Sequence, residues 1–452
     1  MARTGTSAKI RAQTLPSSVR VGSFRWLICG MLFVVTVSNY VDRQAISIVA
    51  PVISAQFHFT NSDIAMIVSA FLLAYTFGQS LAGIFMDWIG SKRGFSIMVI
   101  VWSIVSILTS LARGVLSFSC FRFLLGLSES GNFSGGIKVV AEWFPEQERS
   151  TAVGLFVSGA SIGAILTPPL VTLLVVKVGW QAAFVLVGLP GLLWVLWWRS
   201  LYAPLSSHPR VSEREREYIE KGNYKVRPVG RLGLQSFSFL KRRMFWGVFL
   251  GRFVEEPASW FYLTWLPLYL KDFRAVSLID IGFLLVIPFL ALDLGYVGGG
   301  WTASRLIKRG WSLSRARKTV MAVSAFCMVA AIPAVLAPST VGFVLLVSVA
   351  TLGHGAWAAN IMTLPGDMVP HRLVGTLYGI TAFGGGLGSI LFMQITGKLV
   401  DMQRSFNTVF IIAGILPLIA LVIVLILSGR IELMKIPGLT EEAVPSESVA
   451  IS

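Results

Sequence analysis

The sequence GIFMDWIGSKRG, residues 83–94, follows one long apolar run, and the sequence GWTASRLIKRG, residues 300–310, follows another. Their first glycines are 217 positions apart, close to half of the 452 residues. A second correspondence, EWFP at 142–145 and DMVP at 367–370, has the similar offset of 225 positions. Two marks with nearly equal offsets predict a chain built from two repeated halves.

Apolar segments recur along the whole chain. Of all residues, 55% are hydrophobic and 13% are charged, whereas about a quarter of the residues of a soluble domain are charged. A helix crosses a bilayer with ~17–25 apolar residues. We expect an all-α integral membrane protein with twelve transmembrane helices in two pseudo-symmetric six-helix halves. The predicted spans are Arg25–Ala50, Asp63–Trp88, Gly94–Ala112, Ser117–Val140, Thr151–Val176, Gln181–Leu201, Phe245–Leu270, Ile279–Ala303, Thr319–Leu336, Val341–Leu364, Thr376–Val400 and Thr408–Leu427.

The net charge of +16 comes largely from residues 1–25, from the central loop and from the loop after the eighth span. If twelve spans alternate, these three regions share one side of the membrane, and the opposite loops carry few lysines or arginines. Such a bias is typical of cytoplasmic loops. The basic excess therefore indicates topology, with both termini cytoplasmic and the lipid bilayer rather than nucleic acid as the partner.

These spans and charges predict five regions. Residues 1–24 form a cytoplasmic tail, 25–201 the first half, 202–243 a cytoplasmic linker, 244–428 the second half, and 429–452 a cytoplasmic tail. The linker contains SEREREYIEK, residues 212–221, which favours a polar surface helix. The tail after Gly429 is polar and is expected to be disordered.

The three cysteines, Cys29, Cys120 and Cys327, all fall inside spans, so neither a disulfide framework nor a cysteine metal motif is expected. The sequence contains no nucleophile–base pair and no phosphate-binding glycine loop. We expect no metal, no cofactor and no enzyme activity.

Two charged residues, Arg122 and Glu129, lie in the fourth span, RFLLGLSESGNF. Seven residues are two helical turns, so both side chains lie on one stripe, roughly 10 Å apart along the axis. A charge in mid-membrane costs at least ~2.5–3.5 kcal/mol. An arginine fork suits a carboxylate, and a glutamate exchanges protons, so the pair predicts an anion site in a proton-coupled transporter. The alternative is a static ion pair, between these two residues or with another helix.

The first span offers Tyr40, Asp42 and Arg43. Tyr40 and Arg43 are three residues apart and share a face, whereas Asp42 points about 100° away from Arg43, toward a different neighbour. One of the two charged residues is therefore expected to face a substrate while the other contacts a helix or a cytoplasmic gate. The alternative is a structural Asp42–Arg43 pair.

Five motifs carry a resemblance to a known family. The chain resembles the major facilitator superfamily, and within it the anion:cation symporter branch, with similarity to bacterial hexuronate transporters. The motifs are NYVDRQ (39–44), AFLLAYTFGQ (70–79), RFLLGLSESGN (122–132), IKVVAEWFPEQER (137–149) and SRLIKRGWSLSRARK (304–318).

The resemblance implies proton-coupled import of sugar-acid anions by alternating access in the bacterial inner membrane. It implies that Arg43 contacts the substrate carboxylate and that Asp42 and Glu129 carry protons. The family's loop motif after the second and eighth helices implies a gating role for Gly83, Asp87, Gly90 and Arg305. Trp88 stands where that motif usually has arginine.

Further substrate contacts are predicted from spacing. Asn132, one turn beyond Glu129, is a candidate for sugar hydroxyls, with helix–helix contact as the alternative. Tyr75 and Gln79 lie one turn apart on the second span. His354, Trp357 and Asn360 form a polar–aromatic stripe on the tenth, for which ordinary packing is the alternative.

Ionisable residues also occur in the seventh and eighth spans. Arg252, Glu255 and Glu256 lie in the seventh, and Asp293 in the eighth is expected to pair with Arg252. The family that the chain resembles usually has Thr-Asp-Pro where this chain has Glu255-Glu256-Pro257. The sequence therefore does not decide which anion is the substrate. A symporter or exchanger for an aromatic or dicarboxylic acid is the alternative, followed by a non-transporting receptor. A monomer is expected.

Overall fold

A computed structural model of the chain describes residues 22–221, 234–276, 278–403 and 405–436. These residues form helices joined by short loops, and no strand occurs among them. The α-helices are α1 Phe24–Phe57, α2 Asn61–Ile89, α3 Ser91–Thr109, α4 Val115–Glu129, α5 Gly131–Trp143, α6 Glu146–Leu201, α7 Glu213–Lys221, α8 Arg243–Arg274, α9 Leu278–Lys308, α10 Leu313–Met328, α11 Ala331–Leu336, α12 Thr340–Ile361, α13 Leu364–Met368, α14 Val374–Gln403 and α15 Asn407–Ser428. Short 3₁₀ turns occupy Leu205–Ser207, Leu234–Lys241 and His371–Leu373.

Each of the twelve predicted spans corresponds to helical structure. The fourth span is divided at Ser130 into α4 and α5, and the ninth and tenth are divided in the same way into α10 with α11 and α12 with α13. The fifth and sixth spans run together as α6, where Gly179 has φ +83° and changes the direction of the chain. Glycine adopts this backbone conformation without the penalty that a side chain would bring.

Nine helices of the described chain are long and apolar enough to cross a membrane. The 15-residue α4 and the charged α8 are not among them. Helix α4 carries Arg122 and Glu129. Helix α8 carries Arg252, Glu255 and Glu256. Ionisable residues at membrane depth face the inside of a bundle, and the buried side chains here include Arg122, Glu129, Arg252 and Glu255.

The outside of the bundle is apolar. Leu116, Val176 and Phe283 are 75–78% exposed, and many other leucines, isoleucines and valines of the long helices are also exposed. A soluble monomer rarely exposes so much contiguous apolar surface. The structure is therefore a multi-pass membrane protein, in agreement with the predicted fold class.

Helices α1–α6 pack against one another, as do α8–α15, and the two groups meet mainly along α2 with α14 and α6 with α9. We refer to these groups as the N-terminal and C-terminal halves. Glycines allow the helices to approach closely at both contacts. A Cβ on Gly83 would lie 2.1 Å from the carbonyl oxygen of Gly375, and a Cβ on Gly300 would lie 2.1 Å from that of Ser150.

The linker and tails follow the prediction only in part. SEREREYIEK forms α7, but its Glu215 is 1% exposed, so the helix is docked rather than simply solvated. After Gly429, Ile431 and Met434 are buried, and the Met434 N–H donates to the carbonyl of Met368 at 2.8 Å. The expectation of disorder after Gly429 is therefore wrong for the residues up to 436. Residues 1–21, 222–233 and 437–452 lie outside the described chain.

Candidate functional site

An ion pair joins the first and fourth spans. The Nε of Arg43 lies 3.0 Å from Oε2 of Glu129, whose side chain is fully buried. The Nη2 of Arg43 donates to Oδ1 of Asn39 at 3.1 Å. An Arg122–Glu129 pair does not form in this conformation, because Arg43 on the neighbouring helix is the partner of Glu129. The other form of the alternative, an ion pair with another helix, is therefore the one that occurs.

Aromatic rings surround the guanidinium of Arg43. Its central carbon lies 4.4 Å from the ring centre of Tyr75, 4.6 Å from that of Tyr40 and 5.3 Å from that of Phe71. Such contacts hold a cation by attraction to the ring faces. Tyr40 and Tyr75, both predicted from sequence, are thus brought together around one charge.

Arg122, beside this pair, has unused hydrogen-bonding capacity. It is 3% exposed and lies over the ring of Phe71 at 4.5 Å. Its Nε and Nη1 have no hydrogen-bond partner among the described residues. Buried donors without partners are costly, so these two N–H groups are available to donate hydrogen bonds to an incoming carboxylate.

Asp42 points away from Arg43, as the helical spacing predicted. Its Oδ1 accepts a hydrogen bond from Oγ of Ser106 on α3 at 2.6 Å, and its Oδ2 has no partner within the described chain. The residue is 1% exposed. The alternative of an Asp42–Arg43 structural pair does not occur, so a buried carboxylate lies beside the Arg43–Glu129 pair without a cation of its own.

Asn132 and Gln79 occupy helix contacts. The Nδ2 of the fully buried Asn132 donates to Oγ1 of Thr36 at 3.1 Å, which joins α5 to α1. Gln79 is 7% exposed, and its backbone lies against Gly379 of α14. In this conformation Asn132 makes the alternative, helix–helix contact, and the role of both residues toward a sugar stays a prediction.

The polar–aromatic stripe of the tenth span is largely packed into the bundle. Trp357 is fully buried, and the Nδ2 of Asn360 donates to the carbonyl oxygens of Ala356 and Gly299 at 2.9 and 3.3 Å. His354 places Nδ1 2.6 Å from Oε1 of Glu255. These contacts match the packing alternative for Trp357 and Asn360, whose binding roles stay predictions.

The expected pairing of Asp293 with Arg252 is wrong. Arg252 pairs at 2.9 Å with Glu256, which lies one turn further along the same helix and therefore needs no particular helix packing to reach it. The guanidinium also lies 4.9 Å from the ring centre of Tyr378. Neither carboxylate oxygen of Asp293 makes a hydrogen bond of normal geometry within the described chain, although Ser161 of α6 lies nearby.

The predicted loop motif joins the two halves. Asp87 lies 2.6 Å from Nζ of Lys138, and its carboxylate accepts the backbone N–H groups of Gly375 and Thr376 at 3.2 and 2.5 Å. These N–H groups open α14, where the helix dipole favours an anion. Sequence reasoning missed Lys138, although IKVVAEWFPEQER contains it.

The other motif residues have simpler surroundings. Gly90 has φ +87° at the junction of α2 and α3. Trp88 is 75% exposed, and Arg305 lies over the ring of Trp301 at 5.2 Å. The gating roles of Gly83, Asp87, Gly90 and Arg305 stay predictions.

A second ionic contact between the halves was also missed. Asp367 lies 2.9 Å from Nη1 of Arg149 and 2.7 Å from Nε of Arg317. Arg317 also donates to Oγ of Ser150 at 2.7 Å. The repeat EWFP and DMVP marked this region, but it did not indicate which cations would meet Asp367.

Several bacterial sugar-acid transporters have similar sequences. The chain is 30% identical to the D-galactonate transporter of Escherichia coli O6:H1 over 85% of this chain and 91% of that protein. It is 30% identical to the hexuronate transporter of Escherichia coli K12 over 91% and 96%. It is 32% identical to the galacturonate transporter of Dickeya chrysanthemi over 72% and 92%.

Solved structures share the fold. A proton:xylose symporter bound to 6-bromo-6-deoxy-D-glucose superposes with a TM-score of 0.70 at 14% identity, over 92% of this chain and 97% of that one. The Escherichia coli fucose:proton symporter superposes with a TM-score of 0.65 at 15% identity, over 89% and 98%. The profile of the Major Facilitator Superfamily matches residues 32–393. These findings confirm the resemblance in the sequence: the chain belongs to the Major Facilitator Superfamily, a family of membrane transporters rather than enzymes.

Proposed function

We propose that this transporter imports a sugar-acid anion together with protons by alternating access. The observation that carries the proposal is the buried Arg122 with two unpartnered nitrogens, beside the Arg43–Glu129 pair. The similarity to transporters of D-galactonate, hexuronate and galacturonate supports a carboxylate as the group that these arginines bind.

Coupling follows from competition for Arg43. The anion's carboxylate binds the free nitrogens of Arg122 and attracts Arg43, which is held by Glu129 at 3.0 Å. When Arg43 turns toward the anion, Glu129 is left as a buried carboxylate without its cation, a state that costs several kcal/mol by typical estimates. Glu129 avoids this cost by binding a proton, so anion and proton are favoured together.

Asp42 supplies a second proton site. Its carboxylate is buried, receives one hydrogen bond from Ser106 and forms no ion pair with a cation of the described chain. A neutral acid is favoured in such surroundings because an unpaired buried charge is expensive. Opening the N-terminal half to water on one side of the membrane would let this proton leave.

The closed end of the bundle gives the direction of opening. Contacts of Asp87 with Thr376, Asp367 with Arg149, and Gly300 with Ser150 all join the halves at the end that carries the basic loops. The positive-inside bias assigns this end, and both termini, to the cytoplasm of a bacterial inner membrane. The conformation described is then closed toward the cytoplasm, and release requires α2 to separate from α14 and α6 from α9.

Uptake into proteoliposomes tests the proposal. The panel contains D-galactonate, D-glucuronate, D-galacturonate, a dicarboxylic sugar acid and an aromatic acid, each with and without an imposed pH gradient. We expect accumulation of at least one sugar acid, and only when the outside is more acidic. Accumulation of the aromatic acid alone would move the assignment to the other organic anions, and accumulation that ignores the pH gradient would exclude proton symport.

A further inference from the structure

The C-terminal half contains a buried acid–base pair that the proposed mechanism does not use. His354 on α12 and Glu255 on α8 are 5% and 2% exposed, and Nδ1 of His354 lies 2.6 Å from Oε1 of Glu255. Histidine is the side chain whose proton exchange falls nearest neutral pH. A short hydrogen bond between two titratable groups in a low-dielectric interior shares a proton and couples their ionisation.

The neighbouring charges do not neutralise this pair. On α8, Arg252 is already paired with Glu256 at 2.9 Å, and the phenol of Tyr262 is the other titratable neighbour. From α9 the titratable neighbours are Tyr296 and, one turn before it, Asp293, and α14 contributes Tyr378, whose ring centre lies 4.9 Å from the guanidinium of Arg252. Apart from the Arg252–Glu256 pair, the described residues offer no further ion pair to Glu255 or His354, so these two groups balance each other.

The pair belongs to the part of the C-terminal half that faces the arginine site. Glu256, the next residue on α8, lies against Gly385 of α14, one residue from the contact that α14 makes with Thr76 of α2. Thr76 adjoins Tyr75, whose ring contacts the guanidinium of Arg43. An anion bound between the halves therefore lies close to charged groups of both.

The net charge of the pair depends on the number of protons that it holds. With one shared proton it is neutral overall, as glutamate with imidazolium or as glutamic acid with imidazole. A second proton, taken from solution, gives glutamic acid and imidazolium with a charge of +1. An anion brings a charge of −1, and opposite charges attract strongly where water is excluded. The anion therefore favours the doubly protonated pair.

We propose that Glu255 and His354 form a third proton-binding site, in the C-terminal half, that takes up one proton as the anion binds. This inference rests on the proposed function, because it needs an anion between the halves. It assigns proton binding to both halves of the transporter rather than to the N-terminal half alone.

Counting protons tests the assignment. Purified protein in weakly buffered detergent solution receives D-galactonate or D-glucuronate, and a pH-indicator dye reports the protons taken up per anion bound. We expect Glu255→Gln and His354→Gln each to lower the wild-type count by about one proton. The matched control is Thr351→Val, one turn from His354 on α12 and also buried, which should keep the wild-type count.

A second measurement covers variants that fail to fold. The double variant Asp42→Asn with Glu129→Gln retains the Glu255–His354 pair and should still take up about one proton per anion bound. Thermal unfolding with and without the anion reports binding separately. Two results would overturn the third site. One is anion binding with the wild-type number of protons in both Glu255→Gln and His354→Gln, and the other is anion binding without proton uptake in the double variant. Either result would leave the proposed function unaffected. If neither sugar acid binds, the anion that accumulates in the proteoliposome experiment is used as the probe. If no anion accumulates in that experiment, both proposals are overturned.

Discussion

Arg43 and Arg122 have the same formal charge and different surroundings. Arg43 has a carboxylate partner and three aromatic rings, whereas Arg122 has one ring and two nitrogens without partners among the described residues. Under the proposed function, Arg122 can bind the anion first, whereas Arg43 must be released from Glu129. We therefore propose separate tasks for the two arginines, which are initial binding by Arg122 and coupling by Arg43.

The first prediction concerns these two cations. Arg122→Ala and Arg43→Ala should each weaken anion binding by ~1.5–3 kcal/mol, roughly 10- to 150-fold in Kd, because each removes a charge-assisted contact in a buried cavity. Isothermal titration with the anion identified by uptake measures the effect. Arg113→Ala, at an exposed arginine, is the matched control and should bind like the wild type. Unchanged binding in both buried variants would return these arginines to a structural role.

The second prediction separates the two carboxylates of the N-terminal half. Glu129→Gln and Asp42→Asn should both lose accumulation driven by a pH gradient, since neither amide releases a proton. Glu129→Gln should also bind the anion more tightly than wild type, because Arg43 loses its charged competitor. Asp42→Asn should bind nearly normally, because Asp42 contacts Ser106 rather than Arg43. Uptake assays and titration give the two readouts, and normal proton-driven uptake in both variants would favour a uniporter or exchanger.

At the scale of elements, the linker helix α7 is tied to the N-terminal half, where its partner Glu148 also binds Lys308 of the C-terminal half. Glu215 accepts the backbone N–H groups of Phe24 and Arg25 and the guanidinium of Arg25 at 3.0–3.2 Å. Glu148, at the start of α6, accepts from Arg25, Tyr218 and Lys308 at 2.8–2.9 Å.

The donor from α7 keeps its proton over the ordinary pH range. Burial, followed by the charge of Glu148, raises the pKa of Tyr218 to about 12. The linker contact is therefore insensitive to moderate changes of pH, unlike the sites proposed for protons.

The third prediction concerns the closed end. Asp367→Asn leaves Arg149 and Arg317 without their shared carboxylate, and removing one partner of a buried ion pair typically costs ~3–5 kcal/mol. We expect a lower unfolding temperature and more frequent separation of α6 from α9. The rate at which maleimide modifies a cysteine introduced at Ser304, which is 4% exposed, reports that separation.

Two controls accompany this experiment. Glu217→Gln removes an exposed ion pair of α7 and should change neither readout, because such pairs contribute little. The protein without the introduced cysteine gives the background from the exposed Cys120. An unchanged labelling rate in Asp367→Asn would mean that this ionic contact does not hold the end closed.

At the scale of the whole molecule, charge asymmetry predicts orientation. Basic residues are concentrated at the end where Arg149, Arg317 and Lys308 join the halves. The two ends of the same apolar helices therefore differ in charge, and the positive-inside bias predicts that the basic end lies in the cytoplasm.

The fourth prediction tests this orientation. Reporter fusions after Val229, in the part of the linker outside the described residues, and at the C-terminus should both report the cytoplasm. A fusion in the short loop at residue 113 is the control and should report the opposite side. An external signal from either of the first two would mean that the number of spans before it is odd.

The sequence by itself determined the helical class, the twelve spans and the family, because hydrophobic length and short motifs are local properties. The sequence also predicted that Tyr40 and Arg43, three residues apart on the first span, share a helix face, and that Asp42, adjacent to Arg43, points elsewhere. These predictions need only helical periodicity, which is independent of packing. Only the tertiary structure decided which charges meet: Glu129 with Arg43, Asp87 with Lys138, and Glu255 with His354. Partners on different helices depend on how those helices are offset and rotated against each other. A shift of a few ångströms exchanges one partner for another, and that shift is set by the packing of the whole bundle.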